Sequence, residues 1–193
     1  HIDNNINILL ALRLSLFNSV SIITGTGFST ENFSNWGSFS STLFLTMMLI
    51  GGCSGSTTGG LKIFRIQVLW LIIIKELKSI ISPRAVNTVN LKHININKNI
   101  INSVMIIFFC FIFSIFFISS VFMYYQYDFI TAVSAAFTSL FVIGPGLGNI
   151  IGPDESFSQL PNLLKLLLSI AMIIGRLEFL AILIILAPRF WVK

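Results

Sequence analysis

With 193 residues, 55% hydrophobic and only 10% charged, and a mean hydropathy of +0.91, the chain carries more apolar surface than one soluble core of this size could hide. This composition excludes an ordinary water-soluble domain and makes lipid the solvent for much of the chain. A net charge of +5 and a pI near 9.5 would ordinarily raise nucleic acid or anionic lipid as partners, but the placement of the charges matters more than their sum. Seven of the twelve basic residues (Lys62, Arg65, Lys75, Lys78, Arg84, Lys92, Lys98) fall in one stretch between apolar segments. The positive-inside rule puts that stretch in the cytoplasm and removes any need for nucleic acid. Five of the seven acidic residues (Asp3, Glu31, Asp128, Asp154, Glu155) fall in short connections that would then lie outside. Cys53 and Cys110 have no metal-ligand spacing and read as packing residues. The chain opens on His1 with no signal-peptide pattern and reads as a fragment of something longer.

In chain order, residues 6–23 are apolar, too short for a comfortable crossing, and end in Thr24-Gly25-Thr26-Gly27-Phe28-Ser29 rather than a charged cap. They read as a re-entrant half-helix running into a glycine loop at 24–29. The next apolar region, 39–80, is too long for one crossing at about 1.5 Å per residue and is interrupted at 51–60 by Gly51-Gly52-Cys53-Ser54-Gly55-Ser56-Thr57-Thr58-Gly59-Gly60. A run of Gly, Ser and Thr disfavours helix, so the expectation is helix, irregular loop, helix within the membrane. A basic linker at 83–100 leads to an uninterrupted span at 104–125, a second half-helix at 129–141, a glycine loop at 142–148 and a last span at 163–187. The chain thus divides into an incomplete unit (1–82), the linker, and a complete unit (101–193): an internal repeat whose first copy lacks its leading span.

Irregular backbone at membrane depth is tolerated only where protein buries it or water reaches it. Glycine lets a loop turn its carbonyls inward to replace the hydration shell of a monovalent cation, and the C-terminal ends of the half-helices would add partial negative charge. The bland alternative is that both loops are tight interhelical turns; their equivalent placement in a repeat favours a filter. The break at 51–60 could serve only close helix packing through Gly51-x-x-x-Gly55 and Gly55-x-x-x-Gly59. It is no nucleotide P-loop, because Leu61 stands where the lysine should be.

These segments resemble the pore loops of the TrkH/KtrB family of potassium transporters, in which four channel-like repeats each comprise a spanning helix, pore half-helix, filter loop and second spanning helix. Gly25-Thr26-Gly27-Phe28-Ser29 is similar to the third repeat's filter and Ile143-Gly144-Pro145-Gly146-Leu147-Gly148 to the fourth's. The resemblance implies an all-α integral membrane fold, with Gly27 and Gly144 as selectivity glycines. Ion ligands would be the backbone carbonyls of Thr24, Gly25, Thr26, Gly27 and Phe28 and of Val142, Ile143, Gly144, Pro145 and Gly146. It implies a gate formed by Gly51, Gly52, Gly55, Ser56, Thr57, Thr58, Gly59 and Gly60 beneath the filter, with Arg176 projecting toward the path. One departure is that many relatives carry asparagine just before the fourth filter, where Phe141 and Val142 stand here.

The implied function is potassium uptake driven by the membrane potential, with or without proton or sodium coupling. No enzymatic chemistry and no bound cofactor are implied; K+ is the cargo. The implied partners are an N-terminal half carrying two more repeats, a second copy of the complete unit, a cytosolic nucleotide-binding subunit of the TrkA/KtrA type, and the lipid of a bacterial inner membrane. The alternatives are a secondary carrier of another solute, which also uses broken helices, and a non-functional remnant of a transporter.

Other residues read more plainly. Arg176 and Glu178 are two apart and face different sides of a helix, so Glu178 is expected to pair elsewhere. His93 reads as solvated. Lys62 and Arg65 read as contacts to lipid or a partner, Trp36, Trp70, Trp191, Tyr124, Tyr125 and Tyr127 as interfacial anchors, and the phenylalanine-rich stretch 108–117 as lipid-facing and packing surface.

Overall fold

The computed structural model describes residues 7–52, 55–56, 59–82, 90–91, 94–148, 150–177, 179, 181 and 184. Cys53, Ser54, Thr57, Thr58, Arg84, Lys92, His93, Glu178 and Trp191 lie outside the described residues, as does most of the last span beyond Leu177. Six α-helices account for most of the described chain: α1 Ile8–Thr24, α2 Ser38–Leu49, α3 Ile63–Ile81, α4 Lys98–Tyr124, α5 Phe129–Phe141 and α6 Asn162–Leu177. Short 3-10 turns at Phe33–Trp36 and Phe157–Gln159 precede α2 and α6. Within the basic linker, β1 (Asn90–Leu91) pairs antiparallel with β2 (Ile94–Asn95), with Asn90 opposite Asn95.

α4 is 27 residues long and, among the described residues, is the one helix both long and apolar enough to cross a bilayer by itself. It starts at Lys98 rather than at 104, because Lys98-Asn99 and Asn102-Ser103 contain no helix breaker and the helix extends into the basic linker. The apolar break between α2 and α3 spans 50–62, slightly wider than 51–60. Ile50 and Leu61 form an isolated parallel bridge, Gly51 N–H donates to the Leu61 carbonyl (3.0 Å) and Ile63 N–H to the Gly52 carbonyl (3.2 Å). The break is therefore a closed loop whose ends are tied together by backbone bonds.

The core sits where α4, α5 and α6 meet. α5 is buried along most of its length, including Thr131, Ala132, Ser134, Ala135, Ala136, Thr138, Ser139, Leu140 and Phe141. Small residues on α5 allow this enclosure, and the closest approach is at Gly175 of α6, whose hypothetical Cβ would overlap the Leu140 carbonyl. Phe141 stacks on Phe111 (5.5 Å) and meets Phe137 edge-on (5.5 Å), while Phe111 also meets Phe179 (4.8 Å). The phenylalanine-rich stretch of α4 thus has two faces, with Phe111 buried and Phe109, Phe113, Phe116 and Phe117 exposed.

α1 occupies the same place in its repeat as α5 but buries only Asn18, Ser21 and Ile22. Ile8, Leu9, Leu12, Leu16, Phe17 and Val20 are exposed, an apolar face far larger than water tolerates. Gly175→Ala is expected to force α6 off α5 at a backbone-to-backbone contact that cannot yield, costing about 1–3 kcal/mol. A lowered unfolding temperature of the purified protein in detergent would register it.

Candidate functional site

Each half-helix ends by the same device. After α1, Gly25 takes a left-handed conformation (φ 67°), its N–H donating to the Ile22 carbonyl while Thr26 N–H reaches the Ser21 carbonyl (3.1 Å). After α5, Val142 is left-handed (φ 55°), its N–H donating to the Ser139 carbonyl while Ile143 N–H reaches the Thr138 carbonyl (3.1 Å). Both are the paired bonds of a Schellman-type cap, and every partner recurs at a spacing of 117 residues (142 less 25). Gly27 (φ 77°) and Gly144 (φ 113°) share that spacing. Thr24 closes α1 instead of opening the loop, its hydroxyl donating back to the Val20 carbonyl (2.7 Å).

Val142 is the informative outlier, because a β-branched residue in the left-handed region is sterically costly. The cap geometry imposes the conformation that glycine adopts freely in the first copy. Such strain persists only where surrounding structure enforces it, and it gathers at functional sites.

The two loops touch, backbone against backbone. A Cβ on Gly27 would lie 2.6 Å from the Ile143 carbonyl oxygen, and one on Gly144 would lie 3.5 Å from the Gly27 Cα. No side chain larger than hydrogen fits at Gly27 without parting the loops. Among the described residues, the carbonyls of Thr24, Gly25, Thr26 and Gly27 accept no hydrogen bond, and neither do those of Val142, Ile143, Gly144, Pro145 and Gly146. The Phe28 carbonyl, unlike these, accepts a hydrogen bond, from the Ser21 hydroxyl of α1 at 2.6 Å. Gly146 is buried, and its N–H donates to the Ile151 carbonyl (2.8 Å).

Side chains absent from the sequence expectation hold this arrangement. Asn18 and Ser134, both fully buried, tie the outer limb of each loop to its own half-helix. Ser34, from the 3-10 turn of the first copy, accepts the Gly148 N–H of the second (3.4 Å), and Ser29 donates to the Pro153 carbonyl (3.4 Å). The signal that could have found the first pair is a polar residue inside a short apolar helix: Asn18 and Ser21 in α1, and Thr131, Ser134 and Thr138 along α5.

The glycine break seats against the base of the second loop. A Cβ on Gly59 would lie 2.6 Å from the Phe141 carbonyl oxygen and 3.1 Å from a Val142 methyl, and one on Gly60 would lie 2.7 Å from the Phe141 ring. Gly51 packs within the break, against the carbonyls of Gly59 and Leu61, whereas Gly55 has nothing within 4 Å and is exposed. Gly52 and Ser56 lie in the same loop, the Gly52 carbonyl accepting the Ile63 N–H. Arg176 is exposed and follows directly on Gly175, at the level where α6 crosses the end of α5. Between the loops and the 3-10 turns that follow, the repeat spacing becomes 124 (157 less 33, and 162 less 38), which aligns Gly51 with Gly175 and Gly52 with Arg176. The first copy breaks its helix where the second continues and carries a charge.

Paired half-helices, each feeding a glycine loop, with an irregular break between α2 and α3, define a pore-loop type of membrane fold. Over residues 5–192 the chain matches the family TrkH, described as cation transport protein, and it belongs to that family, an integral membrane fold. It is 38% identical over 175 residues to a Trk system potassium uptake protein, TrkI, of Halomonas elongata, covering 91% of this chain and 36% of that protein. It is 35% identical over 183 residues to the Trk system potassium uptake protein TrkH of Vibrio parahaemolyticus, covering 94% of this chain and 37% of that protein. The crystal structure of the potassium transporter TrkH from Vibrio parahaemolyticus superposes with a TM-score of 0.81 at 35% identity, over 92% of this chain and 37% of that one. The chain therefore spans little more than a third of the length of these relatives.

Gly59→Ala is expected to cost about 1–3 kcal/mol, because its new methyl meets fixed backbone at Phe141. Gly55→Ala, in the same loop but in open space, should stay within about 0.5 kcal/mol of the parent. Thermal unfolding of the two variants side by side checks the difference.

Proposed function

We propose that this chain supplies two of the four filter loops of a potassium-uptake pore in a bacterial inner membrane. The observation that carries the reading is the backbone contact of Gly27 with Ile143 and Gly144, in loops whose carbonyls are otherwise unengaged. A dehydrated alkali cation is stabilised by such oxygens in place of water, and the half-helix C-termini add partial negative charge that repels anions. The relatives' names, as potassium uptake proteins and a potassium transporter, support the choice of ion. Inward movement of a monovalent cation is worth about 2.3 kcal/mol per 100 mV of membrane potential, enough to concentrate it without covalent chemistry. K+ is cargo here, and no cofactor is assigned to the chain.

Two loops make half of a four-fold filter, so the reading requires two further repeats, and the exposed apolar face of α1 is where a span equivalent to α4 would pack. The reading extends, through the family resemblance, to a dimer of the complete unit and a cytosolic nucleotide-binding regulatory ring. The Gly51–Gly60 break and Arg176 are the obstructions below the filter: the first by filling space under Phe141, the second by opposing a resting cation with like charge.

Rubidium uptake into vesicles carrying the complete protein tests the reading. Flux should be competed by K+ and indifferent to amino acids or other organic solutes; competition by a solute would indicate a carrier instead. Gly27→Ser should lower the preference for K+ over Na+ by about tenfold or more, the scale of taking one charge-assisted ligand out of the set; an unchanged preference removes Gly27 from the ring. Arg176→Gln should raise flux by severalfold in protein of normal abundance, and unaltered or abolished flux would refute the barrier role.

A further inference from the structure

In the first copy, Thr30 N–H donates to Asn18 Oδ1 (3.2 Å), while Asn18 Nδ2 donates to Thr30 Oγ1 (3.2 Å) and to the Leu14 carbonyl (3.0 Å). In the second copy, Leu147 N–H donates to Ser134 Oγ (3.1 Å), and the Ser134 hydroxyl lies 2.9 Å from the Leu147 carbonyl, to which it can donate. Thr30 and Leu147 share the 117-residue spacing of the loops, each three residues beyond its filter glycine. Asn18 and Ser134 do not share it: the repeat equivalent of Asn18 is Ala135, one position along. Different side chains, from different positions on the half-helix, thus converge on the same backbone N–H.

If the requirement were only a satisfied buried N–H, any local acceptor would serve. What recurs instead is a strut from the rigid half-helix to the limb of the loop that leaves the filter. The Ser134–Leu147 strut is buried at both ends and the Asn18–Thr30 strut at its Asn18 end, and a hydrogen bond shielded from water is stronger and its loss more costly. The other limb is already fixed by the Schellman-type cap. Each filter strand is consequently pinned at both ends to one helix, which sets how far its carbonyls can move.

We propose that Asn18 and Ser134 are matched positioning residues that fix the carbonyl spacing of the two loops and so set the discrimination between K+ and Na+. This rests on the pore reading above. A smaller ion is excluded only if the carbonyls resist closing around it, and a strut that holds the far limb supplies that resistance. Neither side chain touches the ion; each acts through the backbone it holds.

The test uses the complete protein in vesicles, with rubidium uptake competed separately by K+ and by Na+. Ser134→Ala and Asn18→Ala should each reduce the K+ over Na+ preference by about tenfold, the scale of one buried hydrogen bond removed. Ser139→Ala is the control: Ser139 is as buried, but its hydroxyl donates only within its own helix, to the Ala136 carbonyl (3.1 Å), so the preference should stay within about twofold, below the loss expected from a hydrogen bond. If Ser134→Ala fails to reach the membrane, Ser134→Cys replaces it, near in size but a weak donor and acceptor, with the same direction expected. An unchanged preference in the Asn18 and Ser134 variants overturns the proposal, and so does an equal loss in Ser139→Ala, which would mark general loosening of the core. Absence of rubidium flux in the unsubstituted protein overturns the pore reading and this one with it.

Discussion

A backbone carbonyl left without a partner away from water costs roughly 1–3 kcal/mol by mutational measures. Nine carbonyls, from Thr24 to Gly27 and from Val142 to Gly146, have no hydrogen-bond partner among the described residues, and at membrane depth each needs one from elsewhere. They are tolerable only if water or a cation occupies the space they face. The rest of the structure follows from this constraint: half-helices that deliver the loops, left-handed caps that turn them, and glycines that let them meet.

The repeat shows what is needed and what is incidental. Cap bonds, filter glycines and the anchored N–H recur at one spacing, while the residues supplying them vary, with Val142 for Gly25 and Ser134 for Asn18. Below the filter the copies diverge. The first breaks its helix with glycines that fit against Phe141, and the second keeps its helix and carries Arg176. Under the proposed pore reading, their common position at the base of α5 suits two unlike obstructions of one path, since sterics and like charge each oppose a cation independently.

Much of this was legible in the sequence because glycine-rich interruptions of apolar runs have few explanations in lipid. The half-helix at 129–141, the break between 39 and 80 and the repeat itself all rested on that reasoning. The helix boundaries were less legible: nothing in Lys98-Asn99 stops a helix, and Thr24 reads as loop because its hydroxyl's bond to Val20 depends on a cap that only the fold defines. Val142 could not be read as left-handed, since composition marks that conformation only when glycine occupies it. The Phe28 carbonyl was assigned to the ion on resemblance alone, and nothing in the sequence signalled that it would accept the Ser21 hydroxyl. Asn18 and Ser134 showed in the sequence only as polar residues inside short apolar helices; their partners could not be read, because hydrogen bonds that span a loop leave no periodic trace.

The most direct test is a density map of the complete protein with rubidium or thallium as a heavy substitute for potassium. The account predicts ion density between the loops, within coordination distance of the carbonyl oxygens of Thr26, Gly27, Ile143 and Gly144. Heavy-ion density confined elsewhere, with these carbonyls turned toward protein or acyl chains, would contradict it.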